Sequence, residues 1–328
     1  MQEPAQEEWE KLWSQAHGSV HQSWRYNEAR KNAGDNPRIF YIASSEKGKL
    51  AGGIIAYEKT IHSPLGKKKI LEAHGSPLFI DKTAGAQLLK QFRRETTSYF
   101  YATISPAVLH SLESLFVQEG YTKVSNHTII LDLKKSEGEL WQSLEKKSIR
   151  WGVKTAQKNN LSFAPLKDKR EINELYALYK HTASVGRFNP ESKEFVEALA
   201  STEISQLFGI HRNKKLVAGA LVFFDAHNRI ATLSLTAASE EGLKLQAMPF
   251  LYWSIMLYAK KNGFSYFDLG GYDPDARSSE KIHSINKFKE RFGGTIVEQP
   301  VFSTNRTYPF LRNLLQKARF IRHLYKKN

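Results

Sequence analysis

An internal repeat constrains the fold of this chain more than any other feature. Residues 49–57 (KLAGGIIAY) align without gaps on residues 215–223 (KLVAGALVF), and each run follows a short polar turn. Apolar runs of this length that are entered from a turn are typical of buried strands. The spacing between the copies, about 166 residues, is too long for a solenoid. The repeat therefore predicts two similar α/β domains.

The segments that follow the two copies also correspond. A helical pattern over residues 86–97 precedes an aromatic strand at 99–104, and a second helical pattern over 249–262 precedes a strand at 264–269. A strand, a helix and a further strand with short connections favour a right-handed crossover in a mixed or parallel sheet. We therefore expect the same topology in both halves.

Composition limits the classes of function. The 328 residues suit two domains, and 48 Lys and Arg against 33 Asp and Glu give a net charge of +15. This charge favours polyanionic partners such as RNA, nucleotide diphosphates or an anionic membrane face. The absence of cysteine excludes disulfides, thiolate zinc sites and a cysteine nucleophile. No apolar run approaches the ~20 residues that span a bilayer, so we expect a cytoplasmic protein, at most peripheral to the inner face of the membrane.

Two segments concentrate positive charge. A capping box at Ser136 and Glu139 predicts a helix to about residue 159, with Lys147, Arg150, Lys154 and Lys158 along one face. This face is either an ordinary solvated surface or an anion-binding surface. Trp151 is expected to be a core residue. Residues 306–328 form a second, basic amphipathic pattern, which docks on its own domain or contacts an anionic membrane or RNA through Arg312 to Lys327.

Familiar catalytic motifs are missing from the sequence. It contains no P-loop, no dinucleotide-binding glycine motif, no Gly-x-Ser-x-Gly and no His-Glu-x-x-His. We therefore expect neither a metal nor a cofactor. Any transfer chemistry has to depend on positioned charges and hydrogen bonds.

The most informative stretch is residues 266–274 (YFDLGGYDP) followed by 285–294 (INKFKERFGG). The glycine pair lets the backbone turn sharply and approach a ligand closely. Strand ends of this kind are where sites form in α/β sheets. For residues 285–294 there is an alternative interpretation, namely a plain amphipathic helix with solvated lysines.

The run 267–271 (FDLGG), followed after a spacer by 288–294 (FKERFGG), resembles the C-terminal signature of the Fem-type (FemABX) peptidoglycan aminoacyltransferases. Residues 126–133 and 182–188 are also similar to segments of that family. The resemblance implies an α/β (α+β) fold of two tandem GNAT-like domains with mixed sheets flanked by helices. We expect domains at 1–145 and 146–305, followed by a basic helix at 306–328.

The resemblance also implies a reaction, namely transfer of an aminoacyl group from aminoacyl-tRNA to an amine of a peptidoglycan precursor bearing a nucleotide or lipid diphosphate. The functional lysine of the family corresponds to Lys289, expected as the cation near the developing charge, and Asp268 accompanies it. Asp268 also has a simpler interpretation, as a strand-end acceptor that orders the glycines after it. The expected substrate-binding residues are Gly270, Gly271, Tyr272, Lys287, Arg187, Arg150 and Lys154.

Two other functions remain open. The first is a CoA-dependent GNAT-type N-acyltransferase, although residues 244–249 (KLQAMP) are a degenerate version of the glycine-rich turn that holds the CoA pyrophosphate. The second is a non-catalytic RNA-binding or membrane-peripheral protein that uses the two basic segments and predicts salt-sensitive binding without product.

Overall fold

The chain forms two compact units in a computed structural model that describes residues 4–43, 49–63, 66–108, 112–186, 188–277, 281–312 and 314. One unit consists of Met1–Asn126 together with Gln299–Asn328, and the other of His127–Glu298. The sequence placed the boundary at residue 145. In the structure, residues 127–145 group with the second unit, since a strand at His127–Asp132 belongs to its sheet.

The first unit surrounds one mixed sheet. Its helices are α1 (Gln6–Gln15), α2 (Trp24–Asn32), α3 (Lys82–Glu95) and α4 (Glu113–Gln118). Its strands include β1 (Asn36–Ala43), β2 (Leu50–Ser63), β3 (Gly66–His74), β4 (Leu78–Phe79), β5 (Ala102–Ser105) and β6 (Thr122–Val124). Strands β1, β2 and β3 are antiparallel, and β5 then pairs parallel to β3. Leu88, Leu89 and Phe92 of α3 pack on this sheet.

The second unit repeats this arrangement. Its strands are β7 (His127–Asp132), β8 (Ser162–Pro165), β9 (Ser205–Arg212), β10 (Lys215–Asp225), β11 (Ile230–Ala238), β12 (Tyr266–Tyr272) and β13 (Thr295–Glu298). Its helices are α5 (Glu137–Ser143), α6 (Trp151–Lys158), α7 (Lys169–Gly186), α8 (Lys193–Ala200), α9 (Glu240–Lys244), α10 (Ala247–Lys261) and α11 (Lys281–Glu290). Strands β9, β10 and β11 are antiparallel, and β12 runs parallel to β11.

The predicted repeat and fold class are confirmed. The two repeated runs lie in β2 and β10, which occupy the same place in sheets of order β1-β2-β3-β5 and β9-β10-β11-β12. In each unit a helix, α3 or α10, connects the third of these strands to its parallel partner. Leu251, Ile255 and Ala259 of α10 pack in the core of the second unit, as the helical pattern predicted.

After the glycine pair at 293–294 the sequence predicts a single strand over residues 295–302, and this prediction is wrong in its extent. The segment is two strands in different sheets: β13 pairs with β7, whereas β14 (Val301–Ser303) lies between β5 and β6 in the first unit. Gln299 and Pro300 separate the two strands. Proline has no backbone N–H and cannot continue a ladder, which favours a break at this point.

The predicted helix from residue 137 to 159 is also interrupted. Its capping box at Ser136 and Glu139 is present, but the backbone is extended at Leu144, and a π-helical turn (Lys146–Arg150) precedes α6. The buried side chain of Leu144 and a hydrogen bond from the N–H of Glu145 to the carbonyl of Arg291 (2.8 Å) fix the break. The interruption thus serves tertiary packing at the expense of a continuous helix.

The predicted basic C-terminal helix lies mostly outside the described residues. Arg312 is described and donates a hydrogen bond to Asn126 Oδ1 (2.6 Å). Residues 313 and 315–328, including Lys327, are not described. Among the helices that the structure does describe, none is long and apolar enough to cross a bilayer.

Candidate functional site

A buried network joins the end of β12 to α11. Lys289 is only 8% exposed, and its Nζ donates to the carbonyl oxygens of Gly270 (2.9 Å) and Gly271 (2.8 Å). Asp268 is 4% exposed and accepts hydrogen bonds from the N–H of Gly270 (2.7 Å) and from the hydroxyl of Thr128. The ammonium and the carboxylate thus hold the glycine turn from two sides.

Burial shifts the pKa values of both charged groups. It lowers the pKa of Lys289 to about 8, while the charge of Asp268 acts in the opposite direction. Burial raises the pKa of Asp268, and the hydrogen bonds from Thr128 and Gly270 and the charge of Lys289 partly offset this rise. Each group therefore stabilises the charged form of the other where solvent cannot.

Strands β11 and β12 separate at this network. Their parallel ladder pairs residues 230–232 with 266–268 and then ends. Gly270 has a left-handed φ of +73°, and a Cβ there would lie 3.2 Å from the carbonyl oxygen of Leu233. At Gly271 a Cβ would meet open space. On its other side, β12 carries one extra residue relative to β7 between Asp268 and Gly271, which is a β-bulge.

A cavity of about 770 Å³ opens in the second unit beside the end of β11. Thr236 and Tyr252 line it. Further lining residues are Lys147 in the π-helical turn, Trp151 at the start of α6, and residues of α7, α9 and α11. Among the described residues, no group of three or more histidine or acidic side chains is placed to hold a metal ion. The cavity can therefore offer apolar contacts, hydroxyl groups and cations to a ligand.

Tyr252 connects the cavity to the buried network. Its hydroxyl has a hydrogen bond with the side chain of Thr236, and burial raises its pKa to about 12. Its ring contacts Phe288 edge to face, with centroids 5.3 Å apart. Phe288 lines the cavity and is the residue immediately before Lys289. A residue of the network thus directly follows a lining residue of the cavity along α11.

The predicted site residues fall into separate places. Asp268, Gly270, Gly271 and Lys289 come together in the network. Tyr272 and Lys287 both bind Glu290 (2.9 and 2.7 Å), Arg150 donates to Gln142 (2.8 Å), and Lys154 is exposed on α6. Arg187 lies outside the described residues. Of the eight predicted residues that the structure describes, none lines the cavity itself.

Sequence reasoning missed the cavity residues Tyr252, Thr236 and Trp151. Trp151 was expected in the core, but it is 53% exposed, because Ile149 and Val153 occupy the buried face of this segment. Pro249 near the start of α10 marked the helix that follows β11 and could have directed attention to its first turns, where Tyr252 lies.

Known proteins share this architecture. Residues 145–281 match the family model described as an acetyltransferase (GNAT) domain. A search of curated protein sequences gives no significant match. The crystal structure of FemX superposes with a TM-score of 0.73 at 16% identity, covering 95% of this chain and 98% of FemX.

Two further solved structures have the same fold. L-PGS from Bacillus licheniformis gives a TM-score of 0.65 at 14% identity, with 98% of each chain covered. A tandem GNAT protein from the clavulanic acid biosynthesis pathway gives 0.52 at 10% identity, covering 91% of this chain and 94% of that protein. At these identities the likeness concerns the fold, which in all three spans nearly the whole chain.

Proposed function

We propose that this chain, which has the tandem GNAT-like fold found in FemX, is an acyltransferase that transfers an aminoacyl group from an aminoacyl-tRNA to an amine of a cell-wall precursor. One observation carries the proposal. The buried ammonium of Lys289 lies at the point where β11 and β12 separate. The residue before Lys289 in the chain, Phe288, lines the cavity.

The reaction needs little from the protein beyond alignment and charge. The amine nitrogen attacks the ester carbonyl carbon, a C–N bond forms, and the C–O bond to the ribose breaks. The amine loses a proton, and the ribose oxygen leaves as a hydroxyl after gaining one. Because the ester is already activated, orientation and stabilisation of the developing oxyanion supply the catalysis.

Lys289 is suited to that stabilisation. An ammonium has three N–H donors, and the described carbonyls of Gly270 and Gly271 accept two of them. We propose that the third is donated to the developing oxyanion. Asp268 fixes the glycine turn through the N–H of Gly270, so we assign it a positioning role rather than a proton-transfer role.

The net charge of the protein and the first turn of α10 favour an aminoacyl donor that is carried by RNA. With a net charge of +15, the protein attracts a polyanion such as tRNA and an acceptor bearing a diphosphate. The first turn of α10 contains Pro249, which lacks an N–H, and a Cβ on Gly152 of α6 would lie only 2.8 Å from the Pro249 side chain. This turn therefore has one backbone donor fewer for the pyrophosphate of CoA and is packed closely by α6.

Acyl transfer from acyl-CoA is the second candidate. The observation that favours it is the position of the cavity at the N-terminal end of α10, within a segment that matches the GNAT acetyltransferase family model. A helix N-terminus favours anions such as phosphate groups.

The test is a transfer assay read by mass spectrometry. The full chain is incubated with acceptors bearing a nucleotide or lipid diphosphate and a free amine, together with either a pool of aminoacyl-tRNAs or a panel of acyl-CoAs. We expect an acceptor mass increase of one amino-acid residue with the tRNA pool. The matched control is Lys261→Ala, which removes an exposed lysine at the end of α10 and should leave product formation unchanged.

Three results would contradict the proposal. Product with acyl-CoA alone would favour the second candidate. Product that forms equally well with Lys289→Ala would remove the role of the buried cation. Salt-sensitive RNA or membrane binding without product from either donor would indicate a non-catalytic protein.

A further inference from the structure

An exposed tryptophan, Trp151, lies among the exposed lysines Lys147, Lys154 and Lys158 of the second unit, and we call these four residues the positive stripe. Within α6, Trp151, Lys154 and Lys158 follow one another at spacings of three and four residues, Lys147 lies in the π-helical turn just before them, and all four are exposed. Such spacings place residues on one face of a helix. The opposite face is fully packed, since Ile149, Val153 and Ala156 are buried, so the core does not account for Trp151.

This stripe leads into the cavity. Lys147 and Trp151 line its edge, and Lys154 and Lys158 lie on the next turns of α6, away from it. The packing of Gly152 against Pro249, described above, fixes α6 across the first turn of α10. The tryptophan ring is therefore held at the entrance by a rigid helix rather than by a loop.

The charges around the entrance have mainly one sign. Lys281 and Arg291 line the cavity together with Lys147, and Glu240 is the one acidic side chain among the described lining residues. Arg291 also forms an ion pair with Glu145 (3.0 Å). No acidic residue occurs between Lys146 and Asn160. The entrance therefore combines an exposed aromatic face with a run of cations.

An aromatic side chain within a cationic track is the arrangement by which proteins bind single-stranded nucleic acid: bases stack on the ring, and lysines follow the phosphates. We infer that Trp151 stacks on a base of the single-stranded 3′ end of an RNA whose terminus enters the cavity, while Lys154 and Lys158 contact its phosphates. The inference rests on the proposed function, because the RNA end is the part that carries the aminoacyl ester.

Binding of an uncharged RNA tests this separately from catalysis. The probe is a fluorescent RNA hairpin with a short single-stranded 3′ extension that ends in adenosine, titrated with the full chain in an anisotropy assay. Base stacking on one aromatic side chain contributes to affinity independently of the phosphate contacts, so Trp151→Ala should raise Kd about tenfold, which corresponds to ~1.4 kcal/mol. Trp151→Phe should retain most of the affinity. A blunt-ended hairpin should bind the wild type as weakly as the extended hairpin binds Trp151→Ala.

The lysines are tested by salt dependence. Between about 50 and about 200 mM salt, Lys154→Ala and Lys158→Ala should each lower the slope of log Kd against log salt concentration by about 0.7–1. Matched controls are Ile296→Ala, an exposed apolar residue of β13, and Lys261→Ala. Neither should change binding. Thermal unfolding of every variant verifies that the fold is retained.

The outcomes separate this inference from the proposed function. If the hairpin binds but Trp151→Ala binds equally well, the stacking role is overturned and aminoacyl transfer still stands. If Trp151→Ala instead weakens binding of coenzyme A or of phosphatidylglycerol vesicles, with no effect on RNA, the surface serves a different ligand and the inference fails. If no RNA binds and transfer uses acyl-CoA alone, both proposals fail.

Discussion

The two units share a topology but differ at the corresponding strand ends. In the first unit the parallel pairing of β3 with β5 continues over four residue pairs, from Leu71 with Ala102 to His74 with Ser105, and Gly75 N–H then bonds the carbonyl of Ser105 (2.9 Å). In the second unit the ladder of β11 with β12 ends after three pairs, and the strands part at Gly270.

The helices that follow these strands differ in the same way. Asp81 caps α3, accepting a hydrogen bond from the N–H of Ala84 (2.8 Å). At the start of α10, Gln246 adopts a left-handed φ of +61°, and no side-chain cap occurs among the described residues. Of the two copies of this fold, the first has paired strand ends and a capped helix, and we call its strand end closed. In the second copy the strands separate and the helix has no side-chain cap, and we call its strand end open. The comparison predicts that the proposed site depends on the end of a single strand and not on the fold as a whole.

Lys289→Ala should have the largest effect. It removes the cation and leaves the carbonyls of Gly270 and Gly271 and the carboxylate of Asp268 buried without it. Loss of one preorganised donor typically lowers kcat by about 10²–10³-fold, and we expect transfer to fall by that order. Unfolding by urea should also show a loss of about 3 kcal/mol. A variant with wild-type kcat would break the link between the open strand end and catalysis.

Acid should destabilise the first unit through His21 and His74. Burial, together with smaller effects of the charges of His74 and Arg30 on His21 and of Lys59 and Arg30 on His74, lowers the pKa of each histidine to about 3. The unfolded chain binds protons below about pH 6.5 and the folded unit does not, so stability is complete above pH 6.5 and falls as pH decreases towards 3. At about pH 5 the loss should be roughly 1–2 kcal/mol per histidine.

Hydrogen exchange read by mass spectrometry can follow this loss separately in the peptides of β2 and β10. Once each rate is divided by the intrinsic exchange rate at the same pH, exchange in β2 should be faster at about pH 5 than at about pH 7.5, and this difference should be smaller in His21→Gln and His74→Gln. Equal acceleration in β10, or an unchanged pH response in both variants, would contradict the histidine explanation.

The open strand end should also have its own pH dependence. Lysine is charged below its pKa, and the pKa of Lys289 is about 8. If the charged form acts, the single-turnover rate should fall up to about tenfold per pH unit above pH 8. Lys289→Arg keeps its charge to higher pH, so any activity it retains should not show this fall. A wild-type rate that rises steadily to about pH 10 would exclude the ammonium role.

Asp81→Ala should have the smallest effect. Loss of the cap on α3 costs about 1 kcal/mol of stability, which a urea unfolding curve can measure, while Asp81→Ser should be close to neutral. Transfer activity should not change, because the closed strand end takes no part in the chemistry. A loss of activity larger than the loss of stability would show that the first unit contributes to the reaction.

Much of the fold could be predicted from sequence, because the copies at 49–57 and 215–223 carry no charged residue after their first lysine, as buried strands require. Helix α10 was equally clear from the spacing of Leu251 and Ile255. The assignment of β14 to the first sheet could not be predicted, since it depends on pairing with β5 almost two hundred residues earlier in the chain.

The site was predictable only in part. A glycine pair after an apolar strand indicated the turn at Gly270 and Gly271, and the Fem-type resemblance indicated Lys289. The exposure of Trp151 could not be predicted, because a π-helical turn before α6 determines which face of the helix is buried. A periodicity of 3.6 residues read across that turn does not assign the faces correctly.

The return of the chain to β14 makes the second unit an insertion within the first. A ribosome therefore releases β5 and β6 long before the strand that lies between them is made. The contiguous inserted unit can fold as soon as it emerges, whereas the sheet that begins at the N-terminus waits for residues 301–303. The half that is synthesised first is the half that is completed last.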